Sequence, residues 1–244
     1  MPVHPQKSAR LAGLLFLATF VTSIPAVLLY NDVLNETHFV LHAGNDTQIL
    51  FGALLEMALI VANLGTALVL FPILKRQDEP LALGYVAARI IESVFIAFGI
   101  VSLLAIVTLH QGNGAHPASL ATVSTALVAM HDWTFLLGPG FVVGVGNGLI
   151  LGTLMYRSGL VPRGLALIGV VGGALLLLSG ALVLLGAFDK GSSPQAIMTI
   201  PEFIWELSLG IYLVARGFRP TALERLFSTA KSAAKPADYS NVTP

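Results

Sequence analysis

The run LALGYVAARIIESVFIAFGIVSLLAIVTL, from Leu81 to Leu109, contains two charged side chains, Arg89 and Glu92, and is otherwise almost wholly apolar. A helix that meets water must turn a polar stripe toward it, and this stretch has none. It is longer than the roughly 20 apolar residues that carry a helix across a bilayer. Five further runs read the same way: Leu11–Tyr30, Ile49–Leu74, Thr134–Tyr156, Arg163–Phe188 and Ala196–Phe218. The runs are continuous, without the alternation of a transmembrane strand, so a barrel is excluded. The expected fold is all-α, an integral membrane bundle of six transmembrane helices over residues 1–218, followed by a polar, flexible cytoplasmic tail over 219–244.

Composition agrees. Of 244 residues, 55% are hydrophobic and 11% charged, and the mean hydropathy is +0.82. A soluble domain carries about 25% charged residues. Water-soluble enzymes, nucleic-acid binders and disordered proteins are therefore poor fits, and the expected surroundings are lipid, with no nucleic-acid partner. The chain has no cysteine, which removes disulfide and thiolate chemistry.

The formal net charge of +0 hides an asymmetry. Lys7, Arg10, Lys75, Arg76, Arg157, Arg163, Arg216, Arg219, Arg225, Lys231 and Lys235 fall on one side of a six-span chain. The other side carries Lys190 with Asp32, Glu36, Asp46 and Asp189. Basic residues collect on the cytoplasmic side, so both termini are expected there. The first span follows a short basic segment but shows no A-x-A cleavage pattern near its end, so a retained anchor is expected. The mildly apolar stretch Ala118–Met130 reads as a re-entrant or interfacial helix ahead of the fourth span. In the tail, Leu223, Leu226 and Phe227 against Arg225 and Lys231 fit a short interfacial helix, and a solvated tail fits as well.

Several motifs occur together in order. Arg10-Leu-Ala-Gly-Leu14 opens the first span, and Phe71-Pro-Ile-Leu-Lys75 leads on to Ala88-Arg-Ile-Ile-Glu92. Met155-Tyr-Arg-Ser-Gly-Leu-Val-Pro-Arg163 follows the fourth span, and Pro201-Glu-Phe-Ile-Trp-Glu206 with Ala215-Arg-Gly217 marks the sixth. The set resembles a bacterial polytopic membrane family catalogued as domain of unknown function 4386, over nearly the whole chain to Phe218. The resemblance implies six spans in a prokaryotic inner membrane and supplies no mechanism.

The informative residues are the polar ones inside the spans: Glu56, Asn63, Arg89, Glu92, Asn147, Glu202 and Glu206. A charge at mid-bilayer costs about 2.5–3.5 kcal/mol on insertion scales. Counting ~1.5 Å per residue from the outer edge puts Glu202 and Glu56 at about 9–10 Å, Glu92 at about 13 Å and Glu206 at about 15 Å. The same count puts Arg89 at about 18 Å and both asparagines at about 20 Å. Glu56 and Asn63, Arg89 and Glu92, and Glu202 and Glu206 each share a helical face. Four carboxyls thus meet one guanidinium, which holds about one of them, most simply Glu92 or Glu206. Desolvation and mutual repulsion disfavour the ionised form of the rest. At least one is expected to hold a proton or bind a cation.

Such a band fits a site for a small solute or cation, the leading expectation, with transport as its use. It also fits buried hydrogen bonds that only lock helices together. An intramembrane enzyme, using the carboxyls as acid and base or the outer histidines to hold a metal, is the first rival, and a membrane sensor or accessory module the second.

Gly140, Gly144, Gly148 and Gly152 recur every fourth residue, a small-residue ridge for close helix packing, with a homodimer seam as a second reading. Gly138-Pro-Gly140, Pro25 and Pro201 are expected to kink their helices. Five of six histidines lie toward the outer side. His38, His42, His131 and Asp132 are candidate metal ligands, although independent loop histidines account for them as well. No P-loop, GxSxG, HExxH or dinucleotide fingerprint is present, and no cofactor is expected. The N-x-T triplets at Asn35, Asn45 and Asn241 read as chance.

Overall fold

The computed structural model describes residues 4–35, 39, 46–112 and 116–233. The described chain is helical and contains no strand. Six segments are long and apolar enough to cross a membrane: Pro5–Leu29, Asp46–Leu74, Glu79–Gln111, Pro117–Ser158, Arg163–Leu184 and Ser193–Ala215. We label the elements α1 (Pro5–Leu29), α2 (Asn31–Asn35), α3 (Asp46–Leu74), α4 (Glu79–Gln111), α5 (Pro117–Leu137), α6 (Gly152–Ser158), α7 (Arg163–Leu184), α8 (Ser193–Ala215) and α9 (Pro220–Ala233).

Local chemistry sets the helix ends. Asp78 accepts from Leu81 N at 3.1 Å and Pro80 sits in the first turn of α4, which is where a proline costs no hydrogen bond. Gly159 ends α6 with φ +69°, the left-handed cap that glycine adopts without strain.

The fourth span departs from expectation. The stretch Ala118–Met130 is no separate re-entrant helix, since α5 runs through it and the helix continues unbroken from Pro117 to Ser158. Between α5 and α6 it takes a π-helical course over Gly138–Val142 and Gly144–Leu151. Pro139 has no N–H to return to the preceding turn and its ring crowds that turn's carbonyl. Widening the turn, with glycines at 138, 140, 144, 146 and 148, accommodates the proline without breaking the span.

The six spans form a ring in chain order. α1 packs on α3, α3 on α4, α4 on α5 and the π-helical stretch, that stretch on α7, α7 on α8, and α8 back on α1. The start of α1 and the end of α8 lie on one face, where Gln6 Nε2 donates to Phe218 O at 2.7 Å and Phe218 N donates to Gln6 Oε1 at 3.0 Å. Within the expected tail, α9 folds back under this face and buries Ala222 and Leu226, and residues 234–244 lie outside the described residues.

The distribution of side chains is inverted relative to a water-soluble domain. Leu14, Val21 and Leu28 on α1, and Leu54, Val61 and Leu68 on α3, are all more than half exposed. Glu56, Asn63, Arg89, Glu92, Asn147 and Glu202 are buried. Apolar side chains outside and ionisable ones inside are what a bilayer solvent selects. The protein is a multi-pass membrane protein with its spans in contact with lipid.

Candidate functional site: a polar chamber in one half of the bundle

The half of the ring nearer the termini is solid. Phe16, Leu70, Leu74, Tyr85, Leu151, Leu154, Leu209 and Leu213 are all fully buried in one apolar cluster there. Among the described residues, two cavities open in the other half. One of about 360 Å³ lies between α1 and α8 and reaches Asn63, Arg89, Glu92 and Glu206. One of about 620 Å³ lies beyond it, toward the face opposite the termini, and reaches His131, Asp132, Lys190 and Gln195. Val27, Glu56, Phe135 and Phe203 line both.

At the floor, α4 supplies Arg89 and Glu92, three residues apart and therefore on one face. Arg89 Nη1 meets Glu92 Oε2 at 2.7 Å, and Arg89 Nη2 donates to Asn63 Oδ1 at 2.7 Å. Asn63 Nδ2, from the neighbouring α3, donates to Glu92 Oε1 at 2.9 Å. The planar fork of arginine spans two acceptors at once, so the three side chains close a ring. The guanidinium also lies 5.9 Å from the Phe16 ring centroid, at the top of the apolar cluster.

The opposite wall is built by the π-helical stretch and α8. Asn147 Nδ2 donates to Glu206 Oε1. Trp205 Nε1 donates to the Asn147 carbonyl at 3.0 Å, fixing the π-helical backbone against α8. Glu202, one turn from Glu206, is absent from both cavity walls. It is 2% exposed, both its oxygens lack a hydrogen-bond partner among the described residues, and its carboxyl lies against Gly148 and Gly172. Nearer the mouth, Tyr30 donates to Glu56 Oε2 at 3.0 Å, and the His131 ring packs edge-on against Tyr30 with centroids 5.8 Å apart. Lys190, in the α7–α8 connection, pairs with Asp132 of α5 across the mouth.

The seven polar residues thus separate into four groups: the Asn63–Arg89–Glu92 ring, the Asn147–Glu206 pair, Glu56 with Tyr30, and Glu202 against Gly148 and Gly172. Sequence reasoning missed Tyr30, Trp205 and Lys190. Tyr30 closes an apolar run, and the only signal for it was a phenol at the depth of Glu56. Trp205 stands within the Pro201–Glu206 motif and Lys190 is the basic residue of the outer side, but neither position points to its partner.

Of the candidate metal ligands, His38 and His42 lie outside the described residues. His131 Nδ1 is 3.8 Å from Asp132 Oδ1, too long for a hydrogen bond. His110 Nδ1 is 2.8 Å from Asp46 Oδ1, and His116 caps α5. Among the described residues no three His, Cys, Asp or Glu side chains gather to hold a metal.

The glycines set how closely the walls approach. Gly144, Gly148 and Gly152 face Gly173, Val170 and Ala166 of α7, while Gly146 faces Ala88 of α4. Gly140 stands outside this seam, because a Cβ there would meet only Phe135 O and Leu136 of its own helix. The π-helical turns re-aim the ridge after that point.

No curated protein and no solved structure matches the chain. A family model described as a domain of unknown function, DUF4386, matches residues 11–217. That match takes in the first span from Leu11 onward, the other five spans whole and every group of the chamber, and the chain belongs to the DUF4386 family.

Proposed function

We propose that this is an inner-membrane protein, with both termini cytoplasmic, that binds a small cationic or amine-bearing solute in the chamber as a step in its transport. One observation supports the reading above others. The cavity of about 360 Å³ ends on Asn63, Arg89, Glu92 and Glu206 and has Glu56 in its wall, so three carboxyls face it against one guanidinium. Glu92 is matched by Arg89, whereas the hydrogen-bond donors to Glu56 and Glu206 among the described residues are neutral, Tyr30 and Asn147. A bound cation supplies the missing charge. The apolar walls contributed by Phe20, Ile24, Val27 and Phe203 suit the hydrocarbon part of an organic amine. The chamber lies in the half away from the termini and the packed cluster seals the other half, an arrangement that loads from one side.

The test compares wild type with Glu206→Gln in detergent, titrated with ethylamine, tetramethylammonium and sodium. Glutamine keeps an acceptor for Asn147 and removes the charge. One probe at least is expected to raise the thermal midpoint of wild type, by about 2.7 kcal/mol of stabilisation at a hundred times its Kd, and to leave the variant unmoved. If no probe stabilises wild type, the carboxyls serve helix locking and the binding role fails.

Orientation has its own check. Reporter fusions after Lys75, Arg157 and Arg225 are expected to read cytoplasmic, and fusions near Asn45, Asn113 and Ser192 periplasmic. A periplasmic signal after Arg225 would reverse the direction of loading.

A further inference from the structure

On the face that carries the termini, far from the chamber, three arginines from separate parts of the chain line one cavity of about 230 Å³. Arg76 comes from the α3–α4 turn, Arg157 from the end of α6 and Arg225 from α9. Gln77 and Ser158 add neutral hydrogen-bonding groups, and among the described residues no carboxylate lines the cavity. Arg157 lies 3.7 Å from the Asp78 carboxylate, which also accepts from Leu81 N in the first turn of α4.

The cavity has a built frame. Arg219 N donates to Leu160 O at 2.9 Å, joining the segment before α9 to the α6–α7 connection. Phe218, Ala222 and Leu226 are buried in the main apolar cluster and hold α9 in place. The Arg76 guanidinium lies 4.1 Å from the Phe227 ring centroid. A guanidinium over an aromatic ring keeps N–H groups at its edge for a further partner. Guanidinium groups gathered around one cavity by so much packing favour an anion between them, and they present the fork geometry that matches phosphate oxygens.

We propose that this cavity binds a phosphate group, held by Arg76, Arg157 and Arg225. Arg76 lies just after one membrane-crossing segment and Arg157 in the last turn of another, at the level where lipid phosphates lie, and basic pockets there receive anionic headgroups. A soluble phosphate presents the same oxygens, so the experiment separates the two sources.

Wild type and the double variant Arg76→Gln/Arg157→Gln are compared in phosphatidylcholine nanodiscs containing phosphatidylglycerol, and in detergent with inorganic phosphate. Retained lipid is read by native mass spectrometry and stabilisation by the thermal midpoint. Loss of both charges is expected to weaken binding by about 30-fold. Loss of phosphatidylglycerol adducts identifies the lipid headgroup, and loss of phosphate stabilisation without lipid identifies a free anion. Equal lipid retention and an equal phosphate response in wild type and variant would overturn the proposal. An unchanged midpoint in pure phosphatidylcholine verifies the variant's fold. Arg157→Gln alone, at a side chain 57% exposed, supplies the same comparison if the double variant does not fold.

Discussion

Replacing Arg89 by alanine is expected to destabilise the bundle by about 3–5 kcal/mol, the range for removing one member of a buried ion pair. Arg89 is 2% exposed and Glu92 5%. The substitution strips Glu92 Oε2 and Asn63 Oδ1 of their donors at 2.7 Å. Arg89→Lys should fall between wild type and alanine, because one ammonium cannot reproduce a fork that serves two acceptors. Arg89→Ala combined with Glu92→Gln should recover part of the loss, since glutamine leaves no uncompensated charge. Chemical unfolding in detergent measures all three. A cost below about 1 kcal/mol for Arg89→Ala would put the group among weak, solvent-screened pairs and would remove the rigid floor from the chamber. Added salt should change the result little, because screening reaches buried pairs poorly.

A comparable effect is expected where the π-helical stretch meets α7. A Cβ at Gly173 would stand 2.5 Å from Gly144 O and 2.7 Å from the Cα of Gly148. A Cβ at Gly148 would stand 2.7 Å from Gly173 N and 2.8 Å from Glu202 Oε2. The obstacles are mostly backbone, so no rotamer change relieves them and the helices must part. Overpacked cores lose about 1–3 kcal/mol, occasionally more. Gly144→Leu and Gly148→Leu should lie at or above the upper end. Gly140→Ala is the control. Its Cβ would meet Phe135 O at 3.5 Å and Leu136 Cδ1 at 3.6 Å, ordinary distances. Alanine also favours a helix over glycine by about 1 kcal/mol, so this variant should be neutral or slightly stabilising. Equal thermal midpoints for Gly140→Ala and Gly148→Leu would mean that the seam is not closely packed. Parting these helices also moves Asn147, so a destabilised but folded Gly148 variant should lose the amine response expected of wild type.

The six spans were legible in the sequence because the bilayer imposes a simple demand, about 20 apolar residues per crossing with every backbone group satisfied within the helix. Spacing put Glu92 beside Arg89, since residues three apart on a helix are neighbours whatever the tertiary fold, but left Glu206 open as the partner, and the structure pairs Arg89 with Glu92. The same logic put Glu202 and Glu206 on one face and still misled about their setting. Glu206 lines the chamber, whereas Glu202 lies in the glycine seam. A turn between two residues tilts them apart, and which side of that tilt meets a cavity depends on the neighbouring helices.

Tertiary structure alone decided the rest. Tyr30 with Glu56, Asn147 with Glu206, Trp205 with the Asn147 carbonyl, and Lys190 with Asp132 join residues that are 26 to 59 positions apart. Each pairing depends on the order of helices in the ring and on the rotation of each about its axis. Hydropathy says nothing of that rotation, because lipid accepts any apolar face. The π-helical course after Pro139 shows the same division. The sequence marks a proline among glycines where the backbone must yield, and a helix can answer that with a kink, a break or a wider turn. The wider turn prevailed because glycines on both sides let the backbone press against α7 and α4, and that close packing holds Asn147 and Gly148 toward the interior.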